Sequence, residues 1–181
     1  LFKLMEIKST DASAFKLVYD SSFTLLMRVS YHIVYNEDIA EELVQEAFER
    51  FYVKNMTFPS VEEARFWLIR VTKNLALNHI RRHKRELNMV EKVKKMPSES
   101  SAVMDGSREL IEEETIKEVR KAIESLPDNL KIVIKLKEYG DLDYKGIGKV
   151  LGISESNVKV RVFRARKKLE ELLGKEDGYV Y

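Results

Sequence analysis

Between Tyr144 and Lys168 the apolar residues fall into two helical registers that break at Gly152-Ile153. Ser154 stands at the N-cap of the second register, where its hydroxyl can accept from an orphan backbone N–H of the first turn. From there Val158, Val162, Ala165, Leu169 and Leu172 recur at helical spacing as one narrow apolar stripe. The rest of that surface carries Lys159, Arg161, Arg164, Arg166, Lys167 and Lys168, with no acid between Glu155 and Glu170. Two helices joined by a tight glycine-containing turn, the second of them basic, predict a helix-turn-helix whose second helix enters the major groove. A plain αα-hairpin with a solvated cationic face would need the cap, the turn glycine and the uncompensated charge to coincide.

Only seven Gly and three Pro punctuate the 181 residues, and β-branched alternation is nowhere sustained. The expected class is therefore all-α: two small helical domains joined by a flexible linker, the C-terminal one a helix-turn-helix. Residues 1–85 make the first domain. Asp11 to Tyr35 gives one or two helices, with Phe15, Val18, Tyr19, Phe23, Leu26, Met27 and Ile33 as core positions. Asn36 caps a helix from Asp38 to Val53 whose stripe is Ile39, Leu43, Ala47 and Phe51. Lys54 to Pro59 breaks the helix as a loop, and Ser60 with Glu63 forms a capping box that restarts it over residues 61–85.

Residues 86–112 read as the linker, helical in part near Met89 to Lys95, because Pro97, Ser98, Ser100, Ser101, Asp105, Gly106 and Ser107 interrupt any period. The second domain covers residues 113–175. It opens on a stripe of Ile116, Val119, Ile123 and Leu126; Pro127 then starts the next helix and Gly140 ends it. Residues 176–181 are a tail, and Leu1 in place of a start methionine suggests a trimmed beginning.

The formal charge of +2 hides strong segregation. Residues 37–49 carry six acids and no base, while residues 70–85 carry six Lys or Arg and no acid. Two basic blocks imply two polyanion contacts, and the acidic helix implies a protein contact. Helix-end stabilisation accounts for Glu37 and Asp38 but not for Glu46 and Glu49, which lie beyond the reach of the dipole. The absence of cysteine excludes a disulfide framework, a thiolate metal site and a thiol nucleophile, and it suits a reducing cytoplasm. No apolar run approaches a membrane span and no signal-peptide pattern opens the chain. No Ser-His-Asp order, phosphate loop or acidic metal cluster points to an enzyme. His79 and His83 have ligand spacing, but Arg81, Arg82, Lys84 and Arg85 around them would repel a cation, so no metal or other cofactor is expected.

Along residues 64–85, Ala64, Leu68, Val71, Leu75 and His79 fall on one side. The opposite side presents Phe66, Arg70, Lys73, Asn74, Leu77 and Arg81, with Trp67 at the border between core and surface. Aromatic rings interleaved with cations suit unpaired single-stranded nucleic acid, because each base offers a π-face and each nucleotide a charge.

With both basic blocks and the linker in place, the chain resembles the extracytoplasmic-function sigma factors of bacterial RNA polymerase, the smallest members of the sigma-70 family. The resemblance is carried by DIAEELVQEAFERFYVKN at 38–55 running into ARFWLIRVTKNLALNHIRRHKR at 64–85, and by LPDNLKIVIKLKEYGDLDYKGIGKVLGISESNVKVRVFRARKKL at 126–169. It implies core RNA polymerase and promoter DNA as partners, an anti-sigma factor as a further one, and no membrane insertion. Glu41, Glu42, Gln45, Glu46 and Phe48 would dock the largest polymerase subunit. Lys54, Asn55 and Phe58 belong to the loop expected to capture a flipped base of the −10 element. Phe66, Trp67, Arg70, Lys73, Asn74, Asn78 and Arg81 would handle the melted strand and adjoining duplex. Ser156, Asn157, Lys159, Val160, Arg161, Phe163, Arg164 and Lys167 match the helix that reads the −35 element. Gly146 and Gly148 depart from the Glu and Ala usual in the supporting helix, and Val160 and Phe163 stand where polar residues are frequent. The alternative is a one-component helix-turn-helix regulator whose N-terminal domain senses a ligand or partner. Exposed aromatics among cations on residues 64–85 are the feature that separates the two.

Overall fold

Asp11 starts the first helix by accepting the Ala14 N–H on its carboxylate at 2.8 Å. In the computed structural model, which describes residues 6–93 and 114–174, α1 then runs unbroken over Ala12–Val34. Tyr35 ends it in the left-handed region at φ 54°. Asn36 turns the chain at once into α2 (Glu37–Val53), its side-chain oxygen accepting the Ile39 N–H at 2.9 Å. Two residues of strand follow, β2 (Thr57–Phe58), paired antiparallel with β1 (Ile7–Lys8). Ser60 accepts the Glu63 N–H at 3.2 Å and opens α3 (Val61–Val93).

These elements form one of the two compact units of the described chain. Helix α1 packs along both α2 and α3. Val18, Leu26 and Ile33 of α1, Val44, Ala47 and Phe51 of α2, and Leu68, Ile69 and Ala76 of α3 fill the core. The sequence stripes of α1 and α2 meet through Val18, Leu26 and Ile33 and through Leu43, Ala47 and Phe51, whereas Phe15, Phe23, Met27 and Ile39 are only half buried and Tyr19 stays partly in solvent.

Helix α3 passes the boundary expected at residue 85. Nothing between Glu86 and Val93 breaks a helix, and Arg82 and Glu86 lie one turn apart at 3.9 Å. The expected breakers from Pro97 to Ser107, the second-domain start near Ile111 and the tail lie outside the described residues.

The second unit comprises α4 (Glu114–Ser125), α5 (Asp128–Tyr139), α6 (Tyr144–Leu151) and α7 (Glu155–Leu173). Helices α4, α5 and α6 all pack on α7. Their core holds Ile123, Leu126, Val133, Leu136, Ile147 and Val150 against Val158, Val162 and Ala165. Ile116, expected in the first stripe, is half exposed, and Leu172 leaves the core as α7 outruns its neighbours. Lys135 is 5% exposed and bonds Glu124 on α4. Burial holds its ammonium below the usual range, while the Glu124 charge pulls it back up.

The helix-turn-helix is closed by three local devices. Asp143 caps α6 by accepting the Gly146 N–H at 2.6 Å. Gly152 takes the left-handed region at φ 69°, where L side chains are strained, and the Ile153 N–H returns to the Gly148 carbonyl at 3.1 Å. Ser154 then accepts the Asn157 N–H at 3.2 Å and starts α7. A Cβ on Gly148 would stand 2.7 Å from the Ile153 carbonyl oxygen, so the turn folds back over this glycine. That close approach explains a residue that helix propensity disfavours.

Candidate nucleic-acid interfaces

In the first unit, the loop between α2 and α3 leaves Lys54, Asn55, Thr57 and Pro59 exposed. Asn55 sits at φ 47° and accepts a hydrogen bond from the Thr10 hydroxyl at 3.0 Å. Phe58 does not face outward. Strand alternation turns Thr57 to solvent and Phe58 inward, opposite Ile7, where its ring stacks on Phe51 at 5.4 Å and meets Trp67 at 6.1 Å. Phe58 therefore shapes the loop from beneath.

Helix α3 continues from this loop. Arg70, Asn74, Asn78 and Arg81 are exposed and Lys73 is half buried, all on the side away from Leu68, Leu75 and Ala76. Burial, then the charges of Arg70 and Arg81, holds the Lys73 ammonium below its usual range. Phe66 corrects the sequence reading. It is 7% exposed, although a helical wheel puts it outward, because the first turns of α3 are covered on the side it shares with Ile69. Trp67 is half buried, its ring 5.9 Å from that of Phe51. The exposed face of α3 is thus cationic and amide-bearing, with one aromatic edge at its start.

On α2, Glu41, Glu42, Gln45 and Glu49 are exposed. Glu46 is tied to Arg50 at 2.6 Å and Gln45 donates to Glu41 at 3.2 Å. Phe48 departs from the expected surface because it lies on the Val44–Ala47–Phe51 side. It is buried, with Tyr19 at 4.7 Å and Phe15 at 6.0 Å. Its part in any docking is to hold α2 in place. His79 on α3 has its pKa lowered by burial, then by Arg82 and His83, with Glu42 among the charges that raise it. No cluster of three or more His, Cys, Asp or Glu that could hold a metal is present among the described residues.

On α7, Val158, Val162 and Ala165 are the buried side. The opposite side shows Ser156, Asn157, Val160, Phe163, Arg164 and Lys167, with Val160 45% and Phe163 69% exposed. Arg161 lies half buried at the flank and donates to Asn157 at 2.9 Å. Two other cations are committed within the unit: Lys159 to Glu155 at 2.8 Å and Arg166 to Glu138 at 3.3 Å. The Glu155 hydrogen bond and charge hold the Lys159 pKa above its usual range. Arg164 and Lys167 have no acidic partner among the described residues, which leaves them available to phosphate.

Sequence reasoning missed β1 and its bonds to the 54–59 loop. The only signal was Ile7-Lys8-Ser9-Thr10 facing Met56-Thr57-Phe58, too short for a period to register. It also missed the buried Lys135, which looks on paper like any solvated helix lysine.

Comparison with known proteins follows this division. The sigma-70 region 2 profile matches residues 18–86 and the sigma-70 region 4 profile matches residues 116–169. The ECF RNA polymerase sigma factor SigW of Bacillus subtilis is 29% identical over 177 residues, 94% of this chain and 95% of that protein. SigM of the same organism is 28% identical, over 86% of this chain and 92% of its own. Among solved structures, the sigma factor RpoE of Bartonella quintana, in complex with the anti-sigma factor NepR, superposes with a TM-score of 0.65 at 24% identity. It covers 92% of this chain and 100% of that one. CnrH, in complex with the cytosolic domain of CnrY, gives 0.65 at 20% identity over 93% of each chain. These two likenesses concern the fold. With region 2 on the unit that bears the acidic helix and the α3 face, and region 4 on the helix-turn-helix, the chain belongs to the sigma-70 family, as a sigma factor of the extracytoplasmic-function type.

Proposed function

We propose that this chain is the promoter-specificity subunit of RNA polymerase, acting through three surfaces and catalysing nothing by itself. Glu41, Glu42, Gln45 and Glu46 on α2 dock the core enzyme. Lys54 and Asn55 of the loop, with Trp67, Arg70, Lys73, Asn74, Asn78 and Arg81 of α3, engage the −10 element and hold its melted strand. Ser156, Asn157, Lys159, Val160, Arg161, Phe163, Arg164 and Lys167 of α7 read the −35 element. Phe48, Phe58 and Phe66 support these surfaces from within. Residues 1–85 supply the first two functions and residues 113–175 the third.

The observation that carries this reading is the order of the two matched regions, each laid over an outward cationic face. Exposed aromatics no longer decide against a one-component regulator, since Phe66 is buried. The region 2 match over residues 18–86 does, because a sensing domain has no need of it. The two solved neighbours are each bound by a second protein, and we propose an inhibitory anti-sigma partner here as well. No helix among the described residues is long and apolar enough to cross a membrane, and the proposed place of action is the cytoplasm, with the polymerase.

The test is reconstitution. Core polymerase with the purified chain should initiate at discrete positions on a genomic DNA library, and core alone should not. Sequence-specific DNA binding by the chain with no change in where polymerase starts would support the regulator instead.

A further inference from the structure

We propose that β1 is a positioning strand for the loop between α2 and α3, and that Ser9 and Thr10 set the shape in which that loop captures an unpaired base. The inference rests on the reading of that loop as part of the −10 surface.

Only Lys54, Asn55 and Met56 separate the end of α2 from β2, and two of them are held from outside. Ser9, fully buried, bonds Met56 twice: its N–H donates to the Met56 carbonyl at 2.9 Å, and its hydroxyl oxygen accepts the Met56 N–H at 3.0 Å. Thr10 donates its hydroxyl proton to the Asn55 side-chain oxygen at 3.0 Å. Asn55 lies at φ 47°, a region that non-glycine residues keep only when their surroundings hold them there. Ile7, also fully buried, pins the far side by pairing with Phe58. The loop's shape is therefore imposed by residues 7–10. Its exposed groups are fixed before a ligand arrives, so binding does not have to order them.

The experiment uses holoenzyme reconstituted from the full chain and core polymerase. Its probe is the short single-stranded DNA that wild-type holoenzyme enriches from a random pool. Thr10→Val should lower affinity for that strand about three- to tenfold, the worth of one hydrogen bond, and Thr10→Ser should restore it. Repeating the selection with Thr10→Val should flatten the base preference, while core affinity, duplex attachment and melting temperature stay near wild type. A role in folding alone would not move base preference. Ser9→Ala should have the larger effect. If it does not fold, Thr10→Val, at the exposed edge of the loop, decides alone. A folded Thr10→Val holoenzyme with wild-type strand affinity and preference would overturn the positioning role. Failure of wild-type holoenzyme to enrich any strand would remove the −10 reading, and this inference with it.

Discussion

Replacing Gly148 by Ala sets two effects of known sign against each other. Alanine is the better helix former by about 0.8–1 kcal/mol, so propensity alone predicts a more stable α6. The new methyl, however, would stand 2.7 Å from the Ile153 carbonyl oxygen, with the Glu155 nitrogen at 3.7 Å, and both are backbone atoms that cannot rotate away. The turn would have to open, stretching the Ile153 N–H to Gly148 carbonyl bond and disturbing the Ser154 cap. Overpacking of this kind costs about 1–3 kcal/mol, and a strained cap adds to it. The net expectation is a loss of about 1–2 kcal/mol. For a unit this small that is a fall of roughly 5–10 °C in its thermal transition, followed by circular dichroism. Gly152→Ala is the control. Its Cβ would meet nothing within 4 Å, so it should suffer only the left-handed strain at φ 69°, about 1 kcal/mol, with DNA affinity retained in the folded fraction. Gly148→Ala should weaken duplex binding as well, because α7 starts from the displaced turn. A Gly148→Ala chain that melts higher than wild type would refute the close approach.

Glu42→Lys with Glu46→Lys should weaken core binding measurably in a pull-down or anisotropy titration while leaving duplex affinity intact; part of the effect at Glu46 is lost pairing with Arg50. Arg164→Ala should reduce the slope of log affinity against log salt by about one unit on a −35 duplex, since it removes one phosphate contact. Arg70→Ala should slow promoter opening, and a template premelted across the −10 should recover most of the loss, as measured by permanganate footprinting. Phe66→Ala, by contrast, should destabilise the first unit by about 3–5 kcal/mol and not be rescued. Lys135 has a depressed folded pKa, so the neutral lysine is the form that folding favours. Stability of the second unit should therefore rise as pH climbs through the folded pKa towards 10.5. Denaturant titration of wild type against Lys135→Met over that range should show the difference.

The helices were legible because their starts are written in single side chains. Asn36, Ser60 and Ser154 each bond the N–H expected of them. What escaped was whatever depends on distant partners. The β1–β2 pairing joins residues 47 positions apart, as Ser9 and Met56 show, and two-residue strands carry no periodicity. Phe66 and Phe48 failed for the converse reason. A wheel or a family pattern assigns them a face, but cover from neighbouring elements decides their burial. By propensity alone Gly148 only weakens its helix, and the reason for it lies across the turn at Ile153. The cationic stripes of α3 and α7 were plain because charge cannot be buried cheaply, so sequence alone places it outside.

Helix α3 has a mechanical consequence of its own. From Leu77 to Met89 no residue is buried, yet the helix runs to Val93, about 25 Å beyond Ala76 at the usual rise. The chain thus leaves the first unit at the tip of a stiff rod. Both the distance and the rotational phase of that exit are fixed by a residue count. Removing four residues from the exposed stretch would draw the tip back by about 6 Å and turn it by roughly 40°. Removing seven would draw it back about 10 Å and leave the heading within roughly 20°.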